Sequence, residues 1–109
     1  MDKVAALEAV ERFRIALEKR GVWTSRLMLY GSYAKGTWRE GSDIDVVVVS
    51  GDFAGKTFWE RVELLGKAVC EVWEPIEAVA MTPEEWEHGD SMIAEFAREG
   101  ELVYSAEAG

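Results

Sequence analysis

Gly31-Ser32-Tyr33-Ala34-Lys35-Gly36 is followed, seven residues after its last glycine, by Asp43-Ile44-Asp45 and then Val46-Val47-Val48-Val49. A glycine-bracketed turn carrying a hydroxyl closes one apolar run, Leu27 to Tyr30. Two acids one residue apart open another, Ile44 to Val49. Side chains alternate faces along a strand, so Asp43 and Asp45 point the same way, with Cβ atoms only ~6–7 Å apart. Two carboxylates projecting together from a strand end suit a hard divalent cation, which takes oxygen ligands. The Gly31-Ser32 turn offers backbone N–H groups and a hydroxyl to a phosphate. Metal beside phosphate is the chemistry of nucleotide handling.

Working outward, the rest of the chain reads as an α/β layer fold, a small mixed sheet with helices packed on it. Val4, Leu7, Val10, Phe13 and Leu17 recur at helical spacing and predict an amphipathic helix over 2–20, stopped by Gly21. Strands are expected at 27–30 and 44–49; the second, an isoleucine followed by four valines, reads as central and covered on both faces. Between them, 32–35 forms a short helix and 36–42 a loop. A second long helix, 57–73, carries Phe58, Val62, Leu65, Val69 and Val72 on one stripe and ends before Pro75. Ile76 to Met81 is a third strand. Thr82-Pro83-Glu84-Glu85 starts a helix, with Thr as cap and Glu three residues on. That helix, or a pair of helices broken near Gly89, reaches about Arg98. Leu102 to Tyr104 adds a small edge strand, and residues 105–109 a polar tail.

The composition sets bounds. At 109 residues the chain reads as a single domain, 1–109, with little room for a second. No apolar run approaches the ~20 residues that span a bilayer, and the N-terminus lacks the layout of a signal peptide. The single Cys70 forms no internal disulfide and, set in an apolar helical pattern, reads as a buried thiol in a reducing cytoplasm. Residues 1–50 carry 8 Lys/Arg and 7 Asp/Glu, whereas 51–109 carry 4 and 14, which together give the net charge of −9. So acidic a surface makes nucleic acid an unlikely partner and a basic protein a more compatible one.

A third acid, Glu77, shares a strand face with Val79, while Ile76, Ala78 and Ala80 point to the other side. An acid in an apolar strand is costly to bury unless paired or bound to metal. If its strand lies beside Ile44–Val49, Glu77 approaches Asp43 and Asp45, and three carboxylates converge to hold one or two Mg²⁺ ions.

Gly31-Ser32, Ala34, Gly36, then Ser42-Asp43-Ile44-Asp45 and a later strand acid resemble the DNA polymerase beta-type nucleotidyltransferases. The small size is similar to the minimal nucleotidyltransferases within that superfamily. The resemblance covers about 26–85, and Glu99-Gly100…Leu102…Tyr104 also looks like that group. It implies the polymerase beta-like palm fold, with Asp43, Asp45 and Glu77 as catalytic metal ligands. Gly31, Ser32 and Lys35 would bind the nucleotide. The third acid is often Asp in the family, so Glu77 departs from the pattern, and its role as base or only as ligand stays open. The implied reaction is Mg²⁺-dependent transfer of AMP from ATP to a tyrosine of a partner, a HEPN-type helical toxin that the protein neutralises as its antitoxin. The alternatives are a module of the same fold that blocks a toxin by contact alone, and transfer to a small-molecule acceptor. A homodimer is a further option.

Other residues read more plainly. Glu77 has a rival reading as a surface acid in a Glu-rich half, and Lys35 and Arg39 one as ordinary loop charges. His88 lacks partners at metal spacing and is assigned to a solvated helix face. Of Trp23, Trp38, Trp59, Trp73 and Trp86, most are expected to fill the core or cover sheet edges. Trp38, beside the active-site loop, is the one placed to stack a base or meet a partner.

Overall fold

The computed structural model describes residues 1–89 and 91–106. Helix α1 (Lys3–Lys19) leads into β1 (Arg26–Tyr30), the one-turn helix α2 (Ser32–Lys35) and β2 (Ile44–Val49). A 3₁₀ turn, Gly51–Phe53, links β2 to α3 (Phe58–Val72), which is followed by β3 (Ile76–Met81), α4 (Pro83–His88), α5 (Met92–Arg98) and β4 (Glu101–Ser105). β2 and β3 have the bounds read from the sequence. In the expected polar tail, residues 107–109 lie outside the described residues.

The helix ends follow from side chains that satisfy the first free N–H groups. Asp2 accepts from the Ala5 N–H at 2.9 Å, and Ser91 from the Ala94 N–H at 3.0 Å. Thr57 with Glu60 and Thr82 with Glu85 form reciprocal capping boxes, the second with Pro83 in its first turn.

The four strands lie in the order β3-β2-β1-β4. β2 runs parallel to β3 and antiparallel to β1, and β1 runs antiparallel to β4, so the sheet is mixed. The central place of β2 explains its unbroken apolar run: Val46 to Val49 are buried on both faces. On one face Leu27, Leu29, Val46 and Val48 pack with Val10, Phe13 and Leu17 of α1 and Leu65 and Ala68 of α3. On the other, Met28, Val47, Val49 and Met81 pack with Trp86 of α4 and with Ala94 and Ala97 of α5. No helix among the described residues is long and apolar enough to cross a membrane.

Several expectations are corrected. In α1 the buried stripe runs through Ala6, Ala9, Val10, Phe13, Ala16 and Leu17, and Val4 is exposed. In α3 the buried residues are Leu65, Ala68 and Val72, whereas Phe58 and Val62 are exposed and line an open groove beside Ala78 to Ala80 of β3. Cys70 is exposed rather than buried, on the solvent side of α3. Only Trp86 is buried and Trp38 half-buried, while Trp23, Trp59 and Trp73 are exposed. Trp23 and Trp73 sit in connections rather than on packed faces. Trp59 lies about 120° around α3 from Leu65, at 100° per residue.

Candidate active site

The register places one residue of each of three strands in a row. Asp45 of β2 stands opposite Tyr30 of β1 on one side and Glu77 of β3 on the other. Residues paired in register share a face, so all three side chains project on the α4/α5 side of the sheet, where Tyr30 packs against the cluster those helices cover. Asp45 and Tyr30 are half-buried there, and Asp43 and Glu77 are exposed.

The electrostatics of this row are those of acids crowded together. Partial burial, a hydrogen bond with the Glu77 carboxyl, and the charges of Glu77 and Asp43 push Asp45 up to about 6. A carboxyl–carboxyl hydrogen bond requires one of the pair to carry the proton. Burial, followed by the charges of Asp45 and Glu77, likewise raises the Tyr30 hydroxyl.

Gly31 links the row to the turn. Its backbone has φ +73° and ψ −150°, a conformation nearly confined to glycine. A Cβ there would also lie 2.3 Å from Asp45 Oδ2. Both the backbone angle and the space demand glycine, and the second demand is set by Asp45. After Gly31 the chain turns once as α2 and stops at Gly36, in the left-handed region, whose N–H donates to Ser32 O. Ser32 is half-buried at the start of this turn, and Lys35 is exposed at its end.

Ser42 has a role that the sequence did not reveal. Its Oγ accepts from the Arg39 N–H at 2.9 Å and its N–H donates to Arg39 O at 3.0 Å, which closes the loop just before Asp43. Tyr30 was also missed as a neighbour of the acids. Its position next to Gly31 at the strand end was the available signal. Trp38 is not free to stack a base: it lies against Tyr33, ring centroids 5.4 Å apart and planes 12° apart, and packs on the core.

The expected convergence of three acids is partial. Asp45 and Glu77 meet, and Asp43 is near enough for its charge to act on Asp45. Among the described residues, however, no three His, Cys, Asp or Glu side chains are gathered as a metal cage. The donor chemistry nevertheless suits a hard cation, which completes its shell with water and phosphate and would offset the neighbouring negative charges that add to burial in raising Asp45.

The sequence matches the nucleotidyltransferase domain family over residues 10–99. The chain belongs to that family. Among solved structures, it is similar to a candidate nucleotidyltransferase from Sulfolobus solfataricus, with TM-score 0.74 and 14% identity, covering 98% of this chain and 86% of that one. It is also similar to a chain from a toxin–antitoxin crystal structure with AMP-PNP, with TM-score 0.61 and 21% identity, covering 89% and 74%. No curated protein matches the sequence. The nucleotidyltransferase fold thus places the Gly31-Ser32 turn and the Asp43/Asp45 strand end side by side, as the motif implied.

Proposed function

We propose that this nucleotidyltransferase moves AMP from ATP to a hydroxyl of a partner protein, a tyrosine of a HEPN-type helical toxin, and so acts as its antitoxin. The observation that carries the reading is the row Tyr30–Asp45–Glu77 at one end of the sheet, with Asp43 on the same strand end and Gly31 fitted against Asp45. Acids kept in mutual repulsion stand at a cost that structure alone does not require. Similarity to a toxin–antitoxin chain solved with AMP-PNP supports an adenine nucleotide and a toxin partner.

Asp43, Asp45 and Glu77 would hold Mg²⁺, one ion or two. When bound, the metal neutralises charge on the triphosphate and polarises the attacking hydroxyl. The Gly31 backbone and Ser32 hold the β- and γ-phosphates, and Lys35 adds a positive charge from the solvent side. The acceptor oxygen forms its bond to the α-phosphorus as the bond to pyrophosphate breaks, and the acceptor proton passes to water or, where Glu77 serves as base instead of as ligand, to its carboxylate. The half-burial of Asp45 between Tyr30 and Glu77 holds its carboxyl in one orientation, which fixes the α-phosphate relative to the acceptor.

The test is incubation with Mg²⁺ and α-labelled ATP, with and without a HEPN-type helical protein from the same organism, beside an Asp43→Asn/Asp45→Asn double variant. Label on the partner, lost in the double variant, is the expected result. Partner binding that survives the double substitution, with no label transferred, would overturn catalysis in favour of a contact-only antitoxin. Label appearing on a small molecule alone would overturn the protein acceptor.

A further inference from the structure

Of the row Tyr30–Asp45–Glu77, the two acids suit a metal and Tyr30 is left without a substrate contact. Tyr30 is the last residue of β1 and adjoins Gly31. It is half-buried, packed against the cluster that Met28 and Val47 form with Trp86, Ala94 and Ala97. A tyrosine so placed is anchored by its apolar ring and keeps its polar tip at the margin. The strand end that carries it is held as well. α5 packs over β1, and a Cβ at Gly100, where the chain leaves α5, would lie 2.1 Å from Leu29 O. Only glycine allows that approach.

The hydroxyl at the tip has no partner of the protein's own. Burial and then the charges of Asp45 and Glu77 act on it, yet among the described residues nothing accepts its hydrogen bond. A buried or half-buried tyrosine hydroxyl usually finds an acceptor. In a row otherwise made of carboxyls, it is a neutral donor that keeps its proton.

The strand order β3-β2-β1 gives the two flanks of Asp45 different uses. Glu77 stands on the β3 flank, and Tyr30 on the β1 flank, where the chain runs on into Gly31-Ser32. In an in-line displacement the attacking and leaving oxygens lie on opposite sides of the phosphorus. With the β- and γ-phosphates on the Gly31-Ser32 turn, pyrophosphate leaves on the Tyr30 side and the acceptor arrives on the Glu77 side. Negative charge grows on the leaving oxygens, and a donor already fixed there needs no reorganisation when it does.

We propose that Tyr30 Oη donates a hydrogen bond to the β-phosphate of the bound nucleoside triphosphate, gripping the triphosphate and favouring departure of pyrophosphate. The hydroxyl keeps its proton throughout. This inference rests on the reading of the site as one for a nucleoside triphosphate.

Tyr30→Phe keeps the ring and removes only the donor. Isothermal titration calorimetry with Mg²⁺ and either AMP-PNP or inorganic tripolyphosphate reads the loss with no acceptor protein present. Both dissociation constants should rise about tenfold, the scale of a hydrogen bond to a charged group. The Tm of the ligand-free protein should not fall, because the hydroxyl has no protein partner to lose. Tyr30→Leu, which also removes ring packing, should lower it. Unchanged binding of both ligands by Tyr30→Phe would overturn the donor and leave the nucleotide site standing. A loss with AMP-PNP alone would put the hydroxyl on the nucleoside and overturn the assignment to phosphate. A Tm for Tyr30→Phe as low as that of Tyr30→Leu would make the hydroxyl a structural group and overturn it too. Absence of binding by the wild-type protein would overturn the nucleotide reading itself, and this inference with it.

Discussion

The two faces of the sheet are made by the same strands and finished in opposite ways. On one face, α1 and α3 close over Leu27, Leu29, Val46 and Val48, and every one of these side chains is buried. On the other, the short helices α4 and α5 cover Met28, Val47, Val49 and Met81. Further along the same strands, Asp45 and Glu77 lie outside that cluster, beside Tyr30 at its margin. One face holds the fold together, and the other leaves polar side chains at one end. The helices on the second face must be short, since a longer cover would bury unpaired carboxyls. Asp45 marks the boundary between the two uses, half-buried and pushed up to about 6.

The sharpest way to break the contrast is a pair of truncations, one on each face. Phe13→Ala, on the covered face, should cost about 3–5 kcal/mol by loss of buried surface and a residual cavity, measured by urea unfolding. Activity per folded molecule should be unchanged, because Phe13 is fully buried under the opposite face. Gly31→Ala at the boundary should cost less, about 1–3 kcal/mol from the forced backbone angle, and should also abolish transfer. The added Cβ meets Asp45 Oδ2 at 2.3 Å, so the carboxylate must leave its place. A Gly31→Ala protein as active as wild type would show that the position of Asp45 does not matter.

On the open face, removing a charge should stabilise. Asp45→Asn relieves the repulsion with Glu77 and Asp43. Discounted for the solvent that reaches Asp45, the gain is about 1 kcal/mol at pH 8 without divalent cation, or about 4 °C in Tm. A covered-face polar substitution would do the reverse. Burial of Asp45, with its hydrogen bond to Glu77 and the neighbouring charges, sets a pH slope. The folded protein holds the Asp45 proton more tightly than the unfolded chain does, with the group raised from 3.8 to about 6. Its contribution is therefore fully present below about pH 4 and is lost as pH rises through about 6. Thermal melts in EDTA should show that component in wild type and lack it in Asp45→Asn.

Much of this contrast was legible in the sequence. The four valines of β2 required cover on both faces, and the alternation of Glu77 with Ala78 separated the acid from Ile76, Ala78 and Ala80; the pairing Asp45↔Glu77 then put it on the Asp43/Asp45 side. The Thr82–Glu85 cap marked its helix start because it is local. What was not legible depends on where one element ends over another. Phe58 and Val62 have the spacing of a buried stripe, yet they wall an open groove beside β3, and spacing does not say what lies beneath a helix. Trp38 looked free beside the motif because its contact with Tyr33 depends on how the loop folds back. Cys70 sits among apolar neighbours in sequence that face a different direction in space. The partial convergence of Asp43 was likewise hidden: strand alternation gives the side on which a residue points, not how far it reaches.

The central claim is that the acids of the open face form a cation-dependent nucleotide site. The most direct measurement is the shift in Tm on adding Mg²⁺ with a non-hydrolysable ATP analogue, for wild type and for Asp43→Asn/Asp45→Asn. The account predicts a clear rise for wild type that needs both ligands together, and no rise for the double variant, which starts from the higher baseline. An equal shift in both proteins, or a nucleotide shift in EDTA as large as in Mg²⁺, would contradict it.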